Sequence, residues 1–389
     1  MTYYFQEHQW EPYVYNRLNQ LIDQFKTSES SNFKTKPYVV FDFDNTSIIG
    51  DVEDNLMIYM LDHLLYKMTP EEFEQIIITD IFDMDTNLDE ALEHTTPRKL
   101  AIDIIQSYTW LWEHYINKDK GEGLSLEAIK ETGQYKAFQA KLRYYYVNVN
   151  GKFTRQAGKP WLTYWFKGYT PEELAILTKD MLKEATNKKA EKHIYSTPKE
   201  FLGKAGQISS EFQSGLIYPE ELIALYEAFQ VNGIVTYVVS ASPVDVVRTA
   251  ASEYQFKVPK EQVIGMNYDL DAEGKIEAYM TAGSPITKKD GKTEAIMNLI
   301  APKHENRQPI ALFGDSMGDY HMMTELKDVS LNVIFNCLNH DKTKDLKQIA
   351  KKQYQSDDAN FVVQGRDENA VRLIPNTKTL ALGQTELEY

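Results

Sequence analysis

Four short clusters carry side chains that could handle a phosphate group. Asp42-Phe43-Asp44-Asn45-Thr46 closes one apolar run and Ser240-Ala241-Ser242-Pro243 closes another. Gly291-Lys292 opens a helical stretch, and Gly314-Asp315-Ser316-Met317-Gly318-Asp319 closes a third apolar run. A carboxylate that attacks a phosphate brings like charges together, and a hard cation held by carboxylate oxygens offsets the repulsion. Asp42, Asp315 and Asp319 can supply that shell. Lys292 suits the equatorial oxygens of a transferring phosphoryl group. Ser240, a small hydroxyl at a strand-to-helix turn, can bind another oxygen together with the backbone N–H of Ala241. The leaving alkoxide needs a proton and the later attack of water needs a base. Asp44, two residues beyond Asp42, can do both because the role reverses between steps.

Each cluster also has an ordinary reading. Asp and Thr cap turns, Ser before Pro caps helices, and Lys292 has Lys288 and Lys289 as neighbours. The chemical reading comes from their order and from their placement at strand ends. Tyr38–Phe41 is continuously apolar, as in a strand buried on both faces of a parallel sheet. Ile234–Ser240, Pro309–Phe313 and Leu331–Phe335 read the same way, separated by helical stretches such as Pro219–Gln230 and Pro243–Tyr254. Ligands of open α/β sheets bind at the carboxyl ends of strands, where the acids stand. Between residues 51 and 214 the pattern becomes helical, over Val52–Tyr66, Pro70–Ile78, Pro97–Tyr115, Leu124–Tyr146 and Thr170–Glu184. Thr170-Pro171-Glu172-Glu173 is a helix start with a capping hydroxyl, an early Pro and acids at the positive end. The expected organisation is an α/β core over 1–50 and 215–389, with an inserted helical unit over 51–214.

With 389 residues the chain can form two folded units. The net charge of -15 disfavours nucleic acid and anionic membranes as partners. It leaves phosphate capture to local features: a cation, a lysine and backbone N–H groups. The one cysteine, Cys337, lies in an apolar run and reads as a small buried hydrophobe. The N-terminus lacks a basic stretch followed by an apolar one, and no run is long enough to span a bilayer, so the expectation is a cytoplasmic protein acting on a small molecule.

The Asp-x-Asp-x-Thr, Ser, Lys and Gly-Asp-x-x-x-Asp clusters, in this order, resemble the haloacid dehalogenase superfamily of phosphatases. The resemblance implies a Rossmann-like core with a helical cap inserted after the first strand. It implies that Asp42 becomes an aspartyl-phosphate and that Asp44 is the acid/base. It implies Mg2+ held by Asp42, the backbone carbonyl of Asp44, Asp315 and Asp319, and a phosphate held by Thr46, Ser240, Ala241 and Lys292. Phe41–Thr46 followed by Asp51-Val52-Glu53-Asp54-Asn55-Leu56 is also similar to the phosphorylcholine phosphatase subgroup, which implies that Glu53 and Asp54 contact a choline cation. Acids in a first helical turn also simply favour the dipole. Trp110, Trp112, Trp161, Tyr164 and Trp165 are aromatics that could flank such a cation or simply pack. The spacing of the last acidic cluster is that of the phosphoserine phosphatase type, so phosphoserine-like substrates, another alcohol as acceptor, or phosphate binding without turnover remain alternatives. Carbon–halogen hydrolysis does not need Asp44, and an ion pump needs membrane spans that the sequence lacks.

Overall fold

The computed structural model describes the chain apart from residues 1, 29, 80, 82, 89–94, 118–122, 150–163, 338–344, 354–355 and 357–358. Trp161 lies outside the described residues, as does the side chain of Tyr164.

Six parallel strands form the central sheet: β1 (Tyr38–Phe41), β2 (Val235–Pro243), β3 (Val263–Met266), β4 (Ala311–Gly314), β5 (Leu331–Phe335) and β6 (Phe361–Gln364). Their spatial order is β6-β5-β4-β1-β2-β3, so β1 lies inside, between β2 and β4. Every residue of β1 is buried, which is why it reads as an unbroken apolar run instead of alternating. Val39 and Phe41 feed one hydrophobic cluster, and Tyr38 and Val40 feed the cluster on the other face. Phe41 pairs in register with Val238 and Phe313, and its ring stacks on Phe313 at 3.9 Å and on Tyr226 at 4.2 Å. That stack fixes the residue immediately before Asp42.

Between β1 and β2 the chain forms the helices Val52–His63, Pro70–Ile77, Pro97–Leu111, Gly133–Asn148 and Pro171–Ala185. The expected start at Thr170 is a full capping box, with the Thr170 hydroxyl accepting from the Glu173 N–H and the Glu173 carboxylate accepting from the Thr170 N–H. The segment is not helical throughout. Lys192–Ser196 and Ser209–Gln213 pair as an antiparallel hairpin. The helices and the loop at the hairpin's end are tied by a buried ion pair. Lys141 Nζ donates to Asp103 Oδ2 at 2.7 Å and to the carbonyls of Phe201 and Leu202, while Asp103 also accepts from the N–H groups of Lys204 and Ala205. Both charges are satisfied on several sides, which a buried pair requires.

The last part of the chain is more ordered than its weak pattern suggests. β6 adds to the sheet edge, and two-residue strands within 366–388 form a small second sheet. Among the described residues no helix is long and apolar enough to cross a membrane.

Candidate active site

β1 and β4 run side by side and end together, which delivers Asp42 and Asp315 to one edge. The ladder continues one step past β1, with the Asp42 N–H donating to Phe313 O at 2.9 Å. After β4 the chain turns back at once, so that Asp319 Oδ2 accepts from the N–H groups of Asp315 (3.1 Å) and Ser316 (3.3 Å). Gly314 permits this turn, because a Cβ there would come within 2.6 Å of the Asp319 carboxyl carbon. Gly291 plays the same part at the other cluster. A Cβ would sit 1.7 Å from Ile286 O, so only glycine lets the helix Asp290–Ala295 start where it presents Lys292.

The four central side chains meet. Lys292, 3% exposed, places Nζ 2.7 Å from Asp42 Oδ1 and 2.6 Å from Asp319 Oδ1. Asp42, Asp315 and Asp319 are all buried and offer carboxylate oxygens within 4.8 Å of one another. Three acids against one lysine leave a deficit of positive charge. Burial, then the charge of Asp319, pushes the Asp42 carboxyl well above its usual range, with Lys292 only partly countering. Burial, followed by Asp319, pushes Asp315 up to about 6. Burial alone would lower the Lys292 ammonium, but Asp319 and Asp42 together hold it above its ordinary value. An all-oxygen, over-negative, buried donor set fits a hard divalent cation such as Mg2+. Within it Asp319 has both oxygens engaged by the protein, one by Lys292 and one by backbone N–H groups.

Cation binding therefore has an expected signature. Asp315 is raised from 3.8 to about 6 in the folded chain. The stability its protonated form gives is fully present below 3.8 and is lost as pH rises through about 6. Millimolar Mg2+ should raise the melting temperature, more at pH 7.5 than at pH 5, and Asp315→Asn should blunt the rise. An equal rise in that variant would show binding elsewhere.

The remaining candidates lie in the turn after β1 and at the end of β2. Asp44 accepts from the Val52 N–H at 2.6 Å, at the start of the helix Val52–His63, and from Ser242 Oγ at 2.8 Å. Ser242, whose hydroxyl had no assigned part, thus links the end of β2 to the turn after β1. β2 runs three residues further than its pattern indicates, with a shifted register between Val239 and Pro243 that carries Ser240, Ala241 and Ser242. Ser240 is buried, its Oγ accepts from the Ser242 N–H at 3.1 Å, and its carbonyl accepts from the Thr287 hydroxyl. Thr46 is 2% exposed, and its hydroxyl has no hydrogen-bond partner among the described residues.

The acidic pair is arranged differently from a vacant cation site. Both Asp54 oxygens accept from Arg143, at 3.1 and 2.8 Å, and the Arg143 guanidinium lies over the rings of Tyr146 and Phe212. Glu53 is fully buried and accepts from the Tyr146 hydroxyl at 2.5 Å. Trp165 is fully buried, as a packing residue is. A cleft of about 560 Å³ runs from Asn45 past Asp51, Asp54 and Arg143 to the hairpin residues Glu211 and Phe212, and to Cys337 and Arg366 on the other side. Cys337 is not the buried hydrophobe expected of its apolar run. It is half-buried and its Sγ donates to Asp315 Oδ2 at 3.1 Å. Arg366, from the weakly patterned tail, donates to Asn45 at the foot of this cleft. Nothing local in sequence marks either contact; Asn45 lies 321 residues from Arg366.

No family model matches the sequence, and no curated protein sequence matches it. Among solved structures, a conserved protein of unknown function from Anaerococcus prevotii DSM 20548 is 31% identical over 98% of this chain and 99% of that one, with a TM-score of 0.88. A protein of unknown function from Bordetella pertussis Tohama I is 12% identical over 84% of this chain and 98% of that one, at a TM-score of 0.43. A phospho-aspartyl intermediate analogue of phosphoserine phosphatase is 12% identical over 77% of this chain and 87% of that one, at 0.33. At those two scores neither likeness bears on function.

Proposed function

We propose, for a chain that belongs to the same family as the conserved Anaerococcus prevotii protein, the hydrolysis of small phosphate monoesters by the chemistry of the haloacid dehalogenase superfamily. The observation that carries this reading is the bridge of Lys292 between Asp42 and Asp319, with Asp315 beside them, at the sheet edge. Bound Mg2+ would be held by Asp42, Asp315 and the backbone carbonyl of Asp44, with Asp319 alongside, and would neutralise phosphate charge.

Asp42 is the nucleophile. One of its carboxylate oxygens forms a bond to phosphorus as the bond from phosphorus to the leaving alkoxide breaks. Asp44 gives that alkoxide its proton, then takes one from the water that attacks phosphorus and releases the Asp42 carboxylate from its acyl phosphate, which returns both acids to their starting state. Lys292 holds charge on the phosphoryl oxygens. Ser240, the N–H of Ala241 and the Thr46 hydroxyl, which has no hydrogen-bond partner among the described residues, supply further donors. Residues 51–214 act as a cap over the 1–50 and 215–389 core, and the cleft beside Asn45 takes the leaving group.

Phosphorylcholine is the substrate that Glu53 and Asp54 suggest. Arg143 already supplies Asp54 with a cation, which counts against a quaternary ammonium at Asp54 and favours a leaving group that is not a permanent cation. The test is phosphate release from phosphorylcholine, phosphoethanolamine, phosphoserine and p-nitrophenyl phosphate with Mg2+ present. Release from phosphoserine above phosphorylcholine is expected. The reverse order would return Glu53 and Asp54 to the role of a choline site, and no release from any ester would remove the hydrolase reading.

A further inference from the structure

The tail of the chain carries a buried arginine that the chemistry above does not use. Arg366, 3% exposed, grips one residue twice, with Nη1 3.2 Å from Asn45 O and Nη2 3.1 Å from Asn45 Oδ1. Its Nε donates to Glu368 Oε1 at 2.6 Å. Asn45 stands between Asp44 and Thr46 and has a φ of +57°, in the left-handed region that, glycine apart, Asn and Asp adopt most readily. Its N–H donates to Gly50 O at 2.9 Å, which closes the loop that follows the nucleophile. The grip continues outward, because Glu368 Oε2 accepts from Gln213 Nε2 at 3.1 Å, at the end of the hairpin that borders the cleft. One connected line of polar contacts thus runs from the hairpin, through the tail, to the turn that directly follows Asp44.

We propose that Arg366 is a positioning residue for phosphoryl transfer, holding Asn45 in its left-handed turn so that Asp44 and Thr46 stay aligned with Asp42, and joining that turn through Glu368 to the hairpin. The inference rests on the hydrolase reading for its kinetic consequence but on geometry alone for its structural one. A fork of two N–H groups on one residue fixes orientation as well as distance, and lysine cannot reproduce it. The left-handed turn gains from such restraint, since even Asn, which tolerates it better than most residues, has other backbone minima open to it. An arginine that merely anchored the tail would affect melting and leave turnover at saturating substrate untouched.

The test uses Arg366→Lys and Arg366→Gln in the full chain, assayed with p-nitrophenyl phosphate and Mg2+. Arg366→Lys keeps the charge near Asp315 and loses the fork. Both variants should lose roughly tenfold or more in kcat, as small misplacements of catalytic groups do, with KM changed much less. Full kcat in Arg366→Lys would overturn the proposal, as would lower melting temperatures with unchanged kcat. If Arg366→Gln does not fold, the lysine variant carries the test. If the wild-type chain hydrolyses no ester, the hydrolase reading fails by itself and a crystal structure of Arg366→Lys decides. Asn45 leaving the left-handed region, or Asp44 parting from Ser242, supports the positioning role; an unmoved turn ends it.

Discussion

Asp42→Asn is expected to lower phosphate release by roughly 10⁴-fold or more, as loss of a nucleophile does when residues act as a unit. The amide is nearly the same size, so packing on the Phe41–Phe313 stack should survive. It cannot form the acyl phosphate, and it would withdraw one carboxylate from a bound cation. Stability should move the other way. The Asp42 carboxyl is pushed far up by burial and by Asp319, so its ionised form is unfavourable in the folded chain. At neutral pH without divalent cation the neutral amide should melt at or above the wild-type temperature. A folded variant that keeps wild-type turnover would remove Asp42 from the chemistry.

Lys292→Met is expected to be the most costly change to stability and activity together. The ammonium is 3% exposed and is shared between Asp42 and Asp319, so its removal strands two buried carboxylates beside Asp315. Breaking a buried pair from one side costs about 3–5 kcal/mol, and loss of a donor to the phosphoryl oxygens should cost roughly 10²–10³-fold in turnover. The stability loss should depend on pH in a definite direction. Without the ammonium the acids become harder to ionise, so the folded chain binds protons more tightly than the unfolded one and gains stability as pH falls. Denaturant melts at pH 5 and pH 8 measure this. A variant as stable as wild type at both pH values would show that Lys292 does not compensate the acids.

That Asp42 and Asp315 stand at one sheet edge is readable in the sequence because that geometry is local. A strand buried on both faces must be continuously apolar, and polar residues that follow it must sit at the sheet's end. Tyr38–Phe41 and Ala311–Gly314 obey this, and Asp42 and Asp315 follow directly. Gly291 and Gly314 were informative for a related reason: each marks a close approach that only glycine permits. Contacts made across long stretches of chain were not readable. Arg143 reaches Asp54 from 89 residues away, and no periodicity in either segment signals the pair, so an acid that suggests a ligand cation is met by an internal one. The hairpin at 192–213 alternates only weakly, because one of its strands has no fully buried residue. The tail folds through two-residue strands too short to show a period. Cys337 misled because an apolar run hides a thiol that faces Asp315 across the sheet edge.

The central claim is that Asp42 carries the phosphoryl group between substrate and water. Mass analysis of acid-quenched Asp44→Asn protein after exposure to p-nitrophenyl phosphate and Mg2+ tests it most directly. That ester's leaving group needs little protonation, so the first step should proceed, while the second, lacking its base, should stall. Phosphate bound to Asp42 is the expected result; phosphate released without any modification of Asp42, or bound to another residue, contradicts it.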